Sequence, residues 1–297
     1  MDHAQRQQTS LHTWAQLEAL HDLTYFAKEC RDAYKKLGVG DSWARYFGGR
    51  SAPMGRVNAS VVTATFYSFA HRLIAPSIPS VWEVATPDQF IRARFEGFRA
   101  TWERIMSAST LAPSQAAHLR AAALAMRAAV TGSQAGHVLY SANLEIQAPD
   151  DPVSQLFHAA TLIREYRGDS HNNLLAAHRI DGCQAHILMV AIGAEDRESS
   201  QRSRGYTDDE WATGTDTLIG RGYLDTQQNI TPAGRSFRAD LERATNQLMG
   251  QIFDVLSHRE LSELAALTAP IAMAIHASGS LPNFTRAFEV LELDESW

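Results

Sequence analysis

The sequence predicts a mainly α-helical protein, a multi-helix bundle with an embedded winged helix-turn-helix whose wing is a short β-hairpin. Three observations predict it. Apolar residues recur at helical spacing along most of the 297 residues, capping signatures stand where such runs begin, and the extended pieces are two brief runs near 223–231. A hydrophobic content of 45% with 20% charged residues excludes disordered and fibrous chains, and only 10 prolines speak against a loop-rich β-sandwich.

Residues 11–37 place Leu17, Leu20, Leu23 and Phe26 at three-residue steps beside Trp14 and Cys30, which predicts one long helix stopped by Gly38 and Gly40. YFGGRSAPMG at 46–55 predicts a turn where backbone passes closely. Residues 57–75 resume a helix with Val62, Phe66, Phe69 and Leu73 on one face. Pro87 opens its expected antiparallel neighbour, which carries Ile91, Phe95, Phe98, Trp102 and Ile105 inward to about Met106. Alanine-rich 113–130 gives another helix, and 153–178 with 181–193 a further pair. Thr207-Asp-Asp-Glu210 is a capping box for a short helix closing at Gly220 or Gly222; Tyr223–Asp225 and Asn229–Thr231 form the wing, and Pro232 opens a long helix through Phe237, Leu241, Leu248 and Phe253. A last helix over 259–277 continues in helical turns toward the C-terminus. IQAPDDP near 146–152 marks the internal boundary. It separates a helical domain with a candidate pocket, 1–148, from a helical domain, 149–297, that holds the winged helix at about 203–250; one intertwined unit is the alternative.

A winged helix invites a DNA-binding reading, and charge argues against it. The chain carries a formal charge of −6. From Gly205 to Thr231 the acids are Asp208, Asp209, Glu210, Asp216 and Asp225, and the lone base is Arg221. A recognition helix offers Arg, Lys, Asn or Gln at its N-terminal end, whereas this one offers three carboxylates; Arg202 and Arg204 just upstream are the contrary feature. A packing scaffold or dimer element is the better-supported use. Two cysteines, Cys30 and Cys183, cannot build a disulfide framework. With no secretory signal and no apolar run of membrane length, the expectation is a soluble cytoplasmic protein.

No Walker loop, GxSxG, HExxH or dinucleotide fingerprint is present. His171 and His178 share a helix face seven residues apart, too far to ligate one ion unaided, so neither metal nor cofactor is expected. Arg164-Glu165-Tyr166-Arg167-Gly168-Asp169-Ser170-His171 interrupts an apolar helix. These polar groups need partners, as pocket lining or, better supported, as ion pairs tying helices together. Phe66, Tyr67, Phe69, His71 and Arg72 stand on one side of the expected hairpin, and Phe90, Phe95, Glu96, Phe98 and Trp102 on the other. Such a hairpin would hold a flat ring between aromatic faces, with Arg72 as a fork for a carboxylate and Glu96 as acid and base. On spacing alone, Arg92, Glu96 and Arg99 fit a solvated charge ladder better, with the aromatics as core.

HDLTYFAKECRDAY (21–34), DSWARYFGGRSAPMG (41–55), FHAATLIREYRGDSH (157–171), IDGCQAHIL (180–188), SRGYTDDEW (203–211) and LIGRGYLDTQQNITPAGR (218–235) resemble a largely uncharacterised actinobacterial family with a winged-helix segment. Within that neighbourhood the chain is similar to the bacterial Pictet–Spengler enzymes that form β-carboline alkaloids. That resemblance implies a cofactor-free homodimer that condenses L-tryptophan or a close analogue with an aldehyde. It implies Glu96, in RARFEGFRATW, as the catalytic glutamate and Arg72 as the carboxylate-binding arginine. His71, without a counterpart in that family, is a further polar candidate, and the expected hairpin sets Phe66, Phe69 and Phe95 around the substrate. A ligand-responsive winged-helix regulator and a non-catalytic carrier are the alternatives.

Overall fold

A computed structural model describes residues 2–282, which contain fifteen α-helices. Asp2 caps α1 (His3–Phe26) in a capping box with Gln5. The one helix expected over 11–37 divides at Ala27, whose extended backbone separates α1 from α2 (Lys28–Lys36). α3 (Ser42–Ser51) runs through the glycine-rich patch and ends in a 3-10 turn over Ala52–Met54. Its glycines serve close approach inside a helix rather than a turn. A Cβ on Gly48 would sit 2.7 Å from the Phe90 ring, and one on Gly49 2.7 Å from the Tyr34 hydroxyl.

The helix expected over 57–75 is two, α4 (Ala59–Phe66) and α5 (His71–Ile74). They are parted at Tyr67, whose φ of 62° leaves helical space and whose hydroxyl donates to the Ile180 carbonyl at 2.6 Å. After α6 (Val81–Val84), Thr86 and Pro87 open α7 (Pro87–Ala108) with a capping box to Gln89. α7 packs chiefly on α2, not on α4 and α5. Gly97 permits that contact, since a Cβ there would lie 2.6 Å from the Cys30 Cα. The expected antiparallel hairpin of 57–75 with 87–106 therefore does not form.

α8 (Gln115–Ala129) and α9 (Val138–Leu144) precede α10 (Pro152–Ala177), the central helix, which packs on α8, α1, α14 and α9. α11 (Gly182–Ala191), α12 (Arg197–Arg204), α13 (Asp208–Gly220) and α14 (Pro232–Gly250) make the helix-turn-helix unit, and α15 (His258–Ala277) lies along α1. The capping box of Thr207 and Glu210 is present as expected. The β-hairpin wing is not. Among the described residues it is reduced to one antiparallel bridge, Leu224 with Ile230. The Asp225 carboxylate accepts from the Gln227 and Asn229 amides at 2.9 and 2.8 Å, folding the tip so tightly that no ladder length remains.

Three apolar cores result. The first joins α1, α7, α8, α10 and α15, with Phe98 stacked on Phe157 at 4.0 Å, and draws residues from both sides of the 148/149 boundary. The second gathers Phe47, Phe66, Phe69, Trp82 and Phe90; the third gathers Leu188, Trp211, Leu218, Leu224 and Leu241 in the helix-turn-helix unit. The helical turns expected beyond 282 fall outside the described residues. Among those described, no helix is long and apolar enough to cross a membrane.

Candidate functional site

The six residues expected around a substrate are not brought together. Glu96 stands exposed on the outer side of α7 with Arg92 and Arg99, the ladder arrangement, and lines neither cavity described below. Arg72 is exposed and gives its fork to the Glu210 carboxylate and to the Gly205 carbonyl at 2.6 Å. His71 shares a hydrogen bond with the Thr63 hydroxyl at 2.9 Å. Phe66 and Phe69 are buried in the second core against Tyr46 and Phe47, whereas Phe95 is buried in the first, edge-on to Phe157 at 5.6 Å. The physical reason is the α2–α7 pairing, which occupies the side of α7 that the hairpin needed.

A different constellation lies inside the bundle. Glu18, His21, Asp22 and Tyr25 recur at i, i+3, i+4 and i+7, so α1 presents all four on one face. α10 meets that face with Thr161, Arg164 and Glu165, and α3 with Tyr46 and Arg50. Arg50 donates to both Glu165 oxygens, Nε at 3.3 Å and Nη2 at 3.1 Å, with the two side chains 8% and 2% exposed. Arg164 donates to the same carboxylate at 2.8 Å and lies 3.5 Å from Glu18. His21 reaches the Tyr25 hydroxyl through Nε2 at 2.7 Å and the Thr161 hydroxyl through Nδ1 at 3.1 Å. Arg50 also stacks its guanidinium 4.3 Å over the Phe66 ring.

Burial and charge push these acids apart. Burial alone would raise Glu165, but Arg164 and Arg50 outweigh it and hold the carboxyl far below its ordinary range. Burial raises Glu18 despite Arg164, and raises Asp22 further, with the Glu18 charge adding to the effect. Burial, then Arg164, keeps His21 neutral well below its ordinary value. One ionised carboxylate thus sits among two carboxyls that favour the protonated form, the pattern that separates a base from an acid in one site.

The chamber meets a cavity of about 100 Å³ bounded by Tyr25, Tyr34 and Tyr46 and by Arg31, Arg45 and Arg50. Arg45 spends donors on the Val39 and Gly40 carbonyls. Arg31 donates to the Phe26 carbonyl. Among the described residues neither has a carboxylate partner, so the mouth carries uncompensated positive charge beside aromatic faces. That arrangement can receive a carboxylate or another small anion. The sequence signal was the spacing of Glu18, His21, Asp22 and Tyr25, four polar residues on one face of a helix stretch that also carries Leu17, Leu20 and Leu23.

The REYRGDSH cluster otherwise ties helices together. Arg167 reaches Glu242 and, at 3.0 Å, Asn246 on α14, with its guanidinium 4.1 Å over Trp14. Asp169 accepts the Tyr140 amide at 3.0 Å, and burial, then the Glu165 charge, raises it to about 7. His171 meets the Thr245 hydroxyl at 3.0 Å. Cys30 and Cys183 are free and buried, and burial pushes each thiol up to about 12. Among the described residues no group of three or more His, Cys, Asp or Glu could hold a metal ion.

The helix-turn-helix unit is pinned against the N-terminal half. Arg72 holds Glu210 down to about 2, the Ala70 amide donates to the Arg204 carbonyl at 2.9 Å, and a Cβ on Gly182 would sit 2.3 Å from the Tyr67 carbonyl. The outer face of α13 exposes Asp208, Asp209 and Asp216. Arg204 stacks over Phe69 at 4.7 Å, and Arg221 donates to the His178 and Arg179 carbonyls at 3.0 and 3.1 Å. Fold and site thus define a helical bundle that carries a helix-turn-helix unit as a packed part and holds a polar chamber in its interior. A family model described as a helix-turn-helix family matches residues 10–282, and the chain belongs to that family. No curated protein and no solved structure matches the chain.

Proposed function

We propose that this helix-turn-helix family member is a small-molecule enzyme whose acid–base centre is the α1–α3–α10 chamber, with the helix-turn-helix unit as scaffold. The observation that carries the reading is the juxtaposition of Glu18 and Asp22, pushed toward the protonated form, with ionised Glu165 behind a mouth of tyrosines and arginines. The reaction we assign is a cofactor-free Pictet–Spengler condensation of a tryptophan-like amine with an aldehyde, as the sequence resemblance implies. The substrate carboxylate would lie at Arg45 with its ring against the tyrosines; about 100 Å³ admits the carboxylate end, not the whole amine. The amine loses its ammonium proton to solvent and adds to the aldehyde; a protonated Asp22 then gives its proton to the carbinolamine hydroxyl, which leaves as water to form the iminium. After the indole carbon closes the ring, the resulting carboxylate takes the ring proton, restoring rearomatised indole and the starting acid. The resemblance also supports a homodimer, which light scattering tests.

The deciding assay incubates the protein with L-tryptophan and acetaldehyde and reads tetrahydro-β-carboline by mass against a protein-free control. Asp22→Asn should cut turnover by about 100-fold or more, while Glu96→Gln retains it. No product above the control refutes the reaction, and full activity in Asp22→Asn refutes the site. The family match favours a second reading, a DNA-binding regulator, against which the acidic face of α13 stands. A specific complex with its own upstream DNA that weakens steeply with salt would favour the regulator.

A further inference from the structure

The cavity at the chamber mouth has one wall whose hydrogen-bonding sense is set from behind. On α10 the Thr161 hydroxyl donates to the Phe157 carbonyl one turn back at 3.0 Å, the usual bond of a buried helical threonine. Its proton is thereby spent, and the Thr161 oxygen accepts from His21 Nδ1 at 3.1 Å. Burial, then Arg164, keeps His21 neutral, so its one N–H is the one at Nδ1 and Nε2 is a bare acceptor. The Tyr25 hydroxyl lies 2.7 Å from Nε2 and donates to it. Burial outweighs Arg164 and pushes that phenol well above its ordinary range, so it keeps its proton. Tyr25 lines the cavity, and with its proton turned inward its oxygen can only accept there.

The arginines have the opposite character. Arg31, Arg45 and Arg50 line the same cavity and offer donors alone. Its volume of about 100 Å³ equals the share of roughly three waters, at about 30 Å³ each. A carboxylate and an α carbon with its substituent fill that space. With the carboxylate on an arginine, the group that meets Tyr25 is therefore the α substituent. Three guanidiniums repel an ammonium there, whereas a hydroxyl or a free amine brings a proton without charge. A second cavity, of about 400 Å³ between the end of α8, the segment 144–150 and α10, has no Arg or Lys among its lining residues and offers a carboxylate no cation.

We infer that the mouth selects carboxylic acids bearing an uncharged hydrogen-bond donor on the α carbon, α-hydroxy acids and free-base α-amino acids, and that Tyr25 sets this preference. The inference rests on the mouth as a carboxylate site, not on the reaction assigned to the chamber. It suits the amine of the proposed substrate, which sheds its ammonium proton before it adds to the aldehyde.

Calorimetric titration of the whole protein with phenyllactate and with phenylpropionate, acids that differ by the α-hydroxyl alone, tests it. Wild type should bind phenyllactate about five-fold more tightly, the contribution of one neutral hydrogen bond, and Tyr25→Phe should bring the two to equal affinity. Arg45→Gln should weaken both acids alike. Nitrogen NMR of histidine-labelled wild type reads the direction of the bond without altering Tyr25: His21, its signals assigned by their loss in His21→Gln, should be the Nδ1–H tautomer. Equal affinity in wild type, a preference that survives Tyr25→Phe, or an Nε2–H tautomer at His21 would each overturn the role of Tyr25 and leave the carboxylate site standing. No saturable binding of either acid, or binding of both unaltered in Arg45→Gln, would remove the carboxylate site and the inference with it.

Discussion

Replacing Asp169 with Asn should flatten one part of the protein's response to pH. The side chain lies inside α10, 5% exposed, and its Oδ2 accepts the Tyr140 amide at 3.0 Å. Burial, then the neighbouring Glu165 charge, raises the carboxyl from 3.8 to about 7. The folded chain therefore holds this proton more tightly than the unfolded chain. The stability that protonated Asp169 contributes is fully present below 3.8 and is lost as pH climbs to about 7. Across that span the loss is on the order of 4 kcal/mol, at about 1.4 kcal/mol per pH unit. Asparagine keeps an oxygen for the Tyr140 amide and cannot ionise. Urea unfolding of both proteins at about pH 4, 6 and 8 gives two curves whose difference cancels every other titrating group. The variant should gain on wild type steadily from acid to neutral pH and then hold its lead. Parallel curves would mean that Asp169 ionises as freely inside α10 as in water, and the reasoning would be wrong.

Other outcomes follow from the same contacts. Gly97→Ala should destabilise by about 1–3 kcal/mol in thermal or urea unfolding, because its Cβ meets the Cys30 backbone at 2.6 Å. Glu165→Gln should cost about 3–5 kcal/mol, since it leaves the buried Arg50 without its bidentate partner. Arg72→Ala breaks an exposed pair and should cost under about 1 kcal/mol, with turnover of tryptophan and aldehyde unchanged if the chamber is the site. Glu96→Gln should move urea stability by no more than about 0.5 kcal/mol.

The helices were legible where their signals are local. Pro87, Thr207 with Glu210, and Pro232 each write a helix start within four residues, and the structure has a helix at each. α12 was not legible because RESSQRSR buries a single residue, Ser200, and so shows no apolar stripe. The division at Ala27 was not legible, because apolar residues continue from Phe26 to Cys30 across it without a Gly or Pro. The chamber was hidden for a different reason. Arg50 and Glu165 are 115 positions apart, and no local pattern announces that a guanidinium on α3 meets a carboxylate on α10. The polar face of α1 went unread behind its leucines, and its partners are fixed by packing. The aromatic hairpin failed because two apolar helix faces do not name their mates; Gly97, a glycine facing Cys30, selected α2 for α7.

α1 and α15 lie side by side, joined by the Thr268 hydroxyl donating to Gln16 across 252 positions, and Arg6 on α1 donates to the Phe253 and Leu256 carbonyls. On the ribosome α1 emerges long before the segment that will cover it, so its apolar surface must wait, bare or borrowed by a chaperone, until α15 has been made. Assembly of this bundle cannot proceed domain by domain from the amino end, and slow, late consolidation is built into its wiring.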